Sequence, residues 1–385
     1  MSQNFSSLEA ELEYYNFSFP LLNLLEEHLE KQNYLKKRKI GWHCHLTALT
    51  SATAAVLLKS GAELFLSETS ASTSDPRSIA YMQKLGAKVF LGEQSCLELL
   101  KHSPEIISDT GFVLSSEYLK SISGKESYLF AASEITSSGI QKAKDSGPLP
   151  MPVLNINDGQ LKTHIENFHG VGDGVIDSLF RESGRIWSGR PAAVLGYGKV
   201  GAGVAARLRS CGALVKIVEK DPVKKLIAHY DGFDSVNLEE ALRFSQLLIS
   251  ATGCRKLIST EAFELAADRL LFMNVGHWPD EIDLESLQKI SCKQKNLSTH
   301  LQEFELAKSG KKLYLIAGGG PANVVMLSGS PEPTFIHLCT EILAMNHLLK
   351  MESSGIKLES GLQPLPAEIE AEAALLALKC LSSAR

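Results

Sequence analysis

At 385 residues the chain is longer than the roughly 250 to 300 at which one hydrophobic core stops growing, so two domains with a cleft between them are expected. Apolar residues make up 44% and charged residues 22%, with a formal net charge of -5, so nothing asks for nucleic acid, and the one dense basic run, Lys31 to Lys39, reads as a solvated helix end. The seven cysteines are scattered and never spaced as CxxC, which indicates neither a disulfide framework nor a metal site.

In chain order, Lys39 to His43 reads as a strand, about Leu49 to Ser60 as a helix and Glu63 to Ser67 as a strand. A helix from Ser78 to Leu85 and strands at Lys88 to Leu91 and Glu105 to Ile107 follow. That alternation implies parallel strands with crossover helices. Gly147 to Asn157, rich in Pro and polar residues, reads as a connecting segment that leads into a polar helix, with a hinge near residues 157 to 190. A second series runs through Pro191 to Leu195, Leu214 to Glu219, Leu247 to Ala251, Leu270 to Val275 and Lys312 to Ala317. The tail from Pro364 to Leu381, rich in Ala, Glu and Leu, reads as one amphipathic helix. No stretch approaches the roughly 20 apolar residues of a membrane span, and Met1 to Glu13 is acidic and polar, unlike a signal peptide. With reduced thiols, a cytoplasmic protein is expected.

The strongest chemical signal is Gly196-Tyr-Gly198-Lys-Val200-Gly201, which follows an apolar strand and opens a helix from about Ala202 to Ser210. Gly196 makes the tight turn, Gly198 lets the backbone approach a pyrophosphate, and Gly201 lets helix and strand pack closely. The next strand ends in Glu219, near the distance at which an acid takes the ribose hydroxyls of NAD rather than NADP. Thr252, Val275 and Gly276 end further strands of this series, where ligands collect in open α/β folds. Asn323, after Gly318-Gly-Gly-Pro-Ala322, could hold the nicotinamide carboxamide; without further context it is also a turn-forming Asn.

From about His45 to Met345 the chain resembles the S-adenosylhomocysteine hydrolase family, with matching segments in the family's own order. They are His45-Leu-Thr47-Ala-Leu49-Thr50, Gly61-Ala-Glu63, Asn155-Ile-Asn-Asp158 with Lys162, Gly196-Tyr-Gly198, Val218-Glu219-Lys-Asp221-Pro222, Thr252-Gly-Cys254, and Asn274-Val-Gly-His277 with Glu281-Ile-Asp283. The resemblance implies an α/β fold of two doubly wound, Rossmann-like lobes with a cleft between them. A substrate domain of residues 1–170, completed by 332–385, would pair with an NAD-binding domain of residues 171–331. It also implies an NAD-dependent enzyme that oxidises a nucleoside at ribose C3', removes the C4' proton, expels the 5' group, hydrates C5' and restores the alcohol. On this reading Lys162, Glu166 and Asn167 handle the 3' hydroxyl, the family having Asp at the Glu166 position; alone, Lys162 and Glu166 would be an ordinary ion pair at helical spacing. His45 and His277 resemble the family's proton-transfer histidines, and Thr136, Ser137 and Ser138 its hydroxyl run at the nicotinamide.

The departures gather on the substrate side. Leu49 stands where the family places a Glu that reads the adenine edge, Thr47 being retained beside it, and Ser330 stands where a His reaches the nucleoside. The family's ribose-holding Glu falls at Ile135, with Glu134 one position earlier, and its catalytic Asp falls at Asp109 or Thr110. Val171 replaces a Cys near the cofactor. The family's basic and aromatic C-terminal tail has no counterpart before Ser382-Ser-Ala-Arg385, so a homo-oligomer such as a dimer is expected in place of the usual tetramer. The expected partner is a small nucleoside, S-adenosylhomocysteine or a relative whose base or 5' group is read differently. Two other readings remain open, a non-catalytic NAD-binding regulator and an NAD-dependent sugar or nucleoside dehydrogenase; a regulator would not need Lys162, His45 and His277.

Overall fold

The structure, a computed structural model, describes residues 5–122, 127–276, 278 and 280–383. The expected strands form within a residue or two: β1 (Lys39–Cys44), β2 (Glu63–Glu68), β3 (Lys88–Phe90) and β4 (Ile106–Asp109). They are joined by β5 (Ala131–Glu134) and β6 (Pro152–Asn155). The second series gives β7 (Pro191–Leu195), β8 (Leu214–Val218), β9 (Asp234–Ser235), β10 (Leu247–Ser250), β11 (Leu271–Asn274), β12 (Ser291–Asn296), β13 (Leu301–Leu306) and β14 (Lys312–Ile316), and β15 (Gly361–Pro364) follows. Among the described residues no helix is long and apolar enough to cross a membrane.

The chain divides into two compact units, one of Asn167–Ser330 and the other of the described residues before Asn167 and from Pro331 on. The split unit holds an all-parallel sheet in the order β15-β6-β5-β4-β1-β2-β3. Its central strands are covered on both faces, so Ile40, Trp42, Ile106, Ala131 and Ala132 are all fully buried. Two expectations are corrected here. The Pro-rich segment Gly147 to Asn157 contains β6, all four of whose residues are buried, and Pro364 ends an added parallel strand rather than opening the last helix, which spans Ala367–Ser383. Four-residue strands that begin or end on Pro have no readable period, and only the neighbouring strand shows that they pair.

The same unit contains the 23-residue helix Pro331–Ser353, buried nearly all round. A helix apolar on every side has no amphipathic stripe to read. Helix Ala48–Lys59 starts at Thr47, whose hydroxyl caps Thr50 N–H while the Thr50 hydroxyl accepts from Thr47 N–H.

The continuous unit has the order β12-β13-β14-β11-β10-β7-β8-β9, parallel except that β13 runs antiparallel to both its neighbours. The chain leaves β7 towards β8 and β9, then returns to add β10 and β11 on the other side, which makes the β7/β10 boundary a topological switch point.

Candidate active site

At that switch point the glycine turn has the shape the spacing predicts. Gly196 has φ +89°, and a Cβ on it would lie 2.6 Å from the Ala251 carbonyl oxygen. On Gly201 a Cβ would lie 2.0 Å from the Gly196 carbonyl oxygen, whereas on Gly198 it would meet nothing within 4 Å. Helix Lys199–Ser210 starts at Gly198, so its first amides face that open space, and Val200 packs beside them on the apolar core. Glu219 accepts hydrogen bonds from Tyr197 N–H at 2.7 Å, Lys220 N–H at 2.8 Å and Asp221 N–H at 3.0 Å. Burial alone would raise its carboxyl, but those donors together hold it below the usual range.

Glu281 organises the neighbouring loops. It is fully buried and accepts from the Ser250 hydroxyl at 2.5 Å, Thr252 N–H at 3.0 Å, the Thr252 hydroxyl at 2.8 Å and Gly253 N–H at 2.8 Å. Gly276 has no room for a side chain, since a Cβ there would sit 1.7 Å from Glu281 Oε1. Val275 is buried beside it, and Asn274 donates to the Trp278 and Gly319 carbonyls, both at 2.8 Å. Asn323 lies on the short helix Ala322–Val325 against Gly174, where a Cβ would come 3.2 Å from the Asn323 Cβ. Asn167 is half-buried, Ser330 is exposed, and His277 lies outside the described residues.

In the split unit, Lys162 and Glu166 sit on a wide-wound π-helical stretch, Leu161–Gly170, a form common at functional sites. Its start is held by Glu370 of the last helix, which accepts from Leu161 N–H at 2.8 Å. Lys162 Nζ donates to Glu166, the two side chains being 12% and 16% exposed. Burial pushes the Glu166 carboxyl up, but Lys162, with further help from neighbours that include His45, outweighs it and holds the group below its ordinary value. His45 follows β1, its Nδ1 lying 2.7 Å from the Thr73 hydroxyl and 2.6 Å from that of Thr69.

The two expected acids are placed differently. Asp109 and Glu134 are register partners on β4 and β5, both fully buried. Asp109 caps the next helix, accepting from the amides of Val113, Leu114 and Ser115, the last at 2.7 Å. Glu134 accepts from the amides of Gly111, Phe112 and Thr136 and from the Thr136 hydroxyl. Burial first, and Asp109 second, push its carboxyl up to about 8. Both acids therefore organise their own loops. Thr110 gives its hydroxyl to the His43 carbonyl. Thr136 caps its helix through Gly139 N–H, Ser138 lies 3.4 Å from it, and the Ser137 hydroxyl donates to Asn157 Oδ1 at 3.0 Å. Leu49 is half-buried against the apolar core.

Sequence reasoning missed two polar residues of helix Pro331–Ser353, His337 and Glu341. The Ser108 hydroxyl donates to Glu341 at 2.5 Å and is itself reached by the Ser133 hydroxyl at 2.8 Å. Burial pushes the Glu341 carboxyl up to about 7. The available signal was a His and a Glu one turn apart in the largely apolar run from Phe335 to Met345.

Residues 167–329 match the sequence profile of the S-adenosyl-L-homocysteine hydrolase NAD binding domain. The chain is 30% identical over 387 residues to an adenosylhomocysteinase of Saccharolobus solfataricus, covering 97% of this chain and 91% of that protein. It is 30% identical over 381 residues to an S-inosyl-L-homocysteine hydrolase of Methanococcus maripaludis, covering 94% and 89%. To an adenosylhomocysteinase of Aquifex aeolicus it is 29% identical over 383 residues, covering 96% and 91%.

Proposed function

The chain belongs to the S-adenosyl-L-homocysteine hydrolase family, and from that premise we propose that it hydrolyses a nucleosyl thioether of the S-adenosyl- or S-inosylhomocysteine kind with NAD as cofactor. The observation that carries the reading is the Lys162–Glu166 pair, a charged couple only 12% and 16% exposed, in the same unit as Asp109 and Glu134, whose carboxylates are committed to their own loops.

The residues present fit NAD. The open face at Gly198 and the helix amides behind it receive the pyrophosphate, Glu219 the ribose hydroxyls, and Asn323 the carboxamide. Bound there, NAD supplies reversible oxidation of a secondary alcohol to a ketone. The protein's own part is proton handling. Lys162 as the free amine takes the proton of the sugar 3' hydroxyl oxygen, and as the ammonium held by Glu166 it returns that proton. His45, fixed by Thr69 and Thr73, moves a proton at the 5' leaving group. Asp109 and Glu134 are loop supports in this reading and take no proton step. The seven thiols, none in a disulfide, suit a cytoplasmic enzyme.

The substrate class follows from Leu49. A half-buried Leu cannot accept a hydrogen bond from an exocyclic amine, so the adenine amine gains nothing over an inosine carbonyl at that edge. The S-inosyl thioether should be used at least as well as the S-adenosyl one, and Leu49→Glu should swing the ratio of kcat/KM about tenfold or more towards adenine. The assay follows thiol release and NADH absorbance with both substrates. Neither substrate releasing thiol would overturn the function; a wild-type preference for S-adenosyl above about 100-fold would overturn the role of Leu49.

A further inference from the structure

His337 is 3% exposed, yet neither ring nitrogen has a hydrogen-bond partner among the described residues. A buried polar group left without partners is disfavoured and uncommon, so its donor and acceptor call for an occupant. Glu341, one turn further along the same helix, is half satisfied: Ser108 donates to one carboxylate oxygen, while the other has no partner among the described residues. The ring lies close enough to Lys162 and Glu166 to feel both charges, and burial, then Lys162, push it down to about 3. It is therefore neutral at working pH, with one N–H to give and one lone pair to accept with. Lys162 and Glu166 are engaged with each other and remain partly exposed, and Leu161, next to Lys162, packs on the same apolar core as Phe335 and Leu338 on either side of His337.

We propose that His337 is a substrate-contacting specificity residue whose ring exchanges hydrogen bonds with the 2' hydroxyl of the nucleoside while Lys162 and Glu166 take the 3' hydroxyl. This deepens the reading above and rests on its placement of the sugar beside Lys162. A hydroxyl both gives and accepts a hydrogen bond, which matches the two unmet functions of a neutral imidazole, whereas a CH₂ at the same place matches neither. The enzyme is thereby selective for ribonucleosides over 2'-deoxyribonucleosides, through a residue that takes no part in the proton steps.

The test measures calorimetric affinity of the NAD-loaded protein for adenosine and for 2'-deoxyadenosine, together with NADH absorbance for each. Wild type should bind adenosine at least tenfold more tightly than the deoxy compound. His337→Phe keeps a flat ring and removes both nitrogens; it should weaken adenosine tenfold or more, leave the deoxy compound within about twofold, and so collapse the preference. His337→Gln, which can still donate and accept, should recover part of it and serves as the readout if the Phe variant does not fold. Equal preference in wild type and in the folded variant, or no ribose preference in wild type, overturns the role of His337. Normal binding with the expected preference but no NADH band leaves that role standing and overturns the proposed function instead.

Discussion

Replacing Lys162 with Met leaves the Glu166 carboxylate in place without its ion-pair partner. Breaking a fully buried pair costs about 3–5 kcal/mol, and an exposed pair is worth about 0–1 kcal/mol. With 12% and 16% of the two side chains exposed, this pair stands nearer the first case, and about 2–3 kcal/mol near pH 7 is expected. In a unit of this size that is a fall of about 5–10 °C in Tm. The pH dependence follows from the direction of the Glu166 shift. Its folded pKa lies below the ordinary 4.5, so in the wild type the ion adds stability above 4.5 and loses it as pH falls through the folded value. Without Lys162, burial dominates and the folded pKa rises, so the deficit is full at pH 7 to 8 and shrinks on acidification as the variant protonates. Lys162→Met with Glu166→Leu should regain most of the stability and none of the activity, since the charge no longer stays behind unpaired. Loss of the proton acceptor should slow NAD reduction by about 10²–10⁴-fold while NAD stays bound. Scanning calorimetry between pH 5 and 8 and single-turnover NADH absorbance read both effects. A Lys162→Met protein that melts like wild type at every pH, or builds NADH at the wild-type rate, refutes the reasoning.

At the glycine turn two substitutions should part ways. Gly201→Ala drives a Cβ to 2.0 Å from the Gly196 carbonyl oxygen and should destabilise by about 1–3 kcal/mol and loosen NAD. Gly198→Ala meets nothing within 4 Å, so melting without NAD should move by no more than about 0.5 kcal/mol while NAD-dependent stabilisation falls; an unchanged thermal shift with NAD refutes the pyrophosphate placement. Glu219→Gln removes a charged acceptor and should weaken NAD about tenfold, measured by equilibrium dialysis, and it should abolish the share of acid destabilisation that this depressed carboxyl contributes below its ordinary 4.5. Glu281→Leu strands the Ser250 hydroxyl, the Thr252 amide and hydroxyl and the Gly253 amide, and should cost about 3–5 kcal/mol in urea unfolding.

What the sequence determines by itself is local in the chain. The strands at Lys39–Cys44, Glu63–Glu68 and Pro191–Leu195 and the turn from Gly196 to Gly201 were legible because their period and glycine spacing complete themselves within a dozen residues. The order of matching motifs from His45 to Asp283 carried the family resemblance. Only the tertiary structure decided which polar groups meet. Asp109 and Glu134 look alike as candidate acids until the β4–β5 register sets them side by side, each spent on backbone amides. Glu281 becomes the common acceptor for Ser250, Thr252 and Gly253 because parallel pairing aligns the ends of β10 and β11. His337 is one histidine in an apolar run until helix Pro331–Ser353 is packed into the split unit, far along the chain from Lys162. Hydrophobic burial fixes that helix whatever its few polar residues are. Where its imidazole ends up, and what it faces, is decided by packing between segments that no local pattern connects.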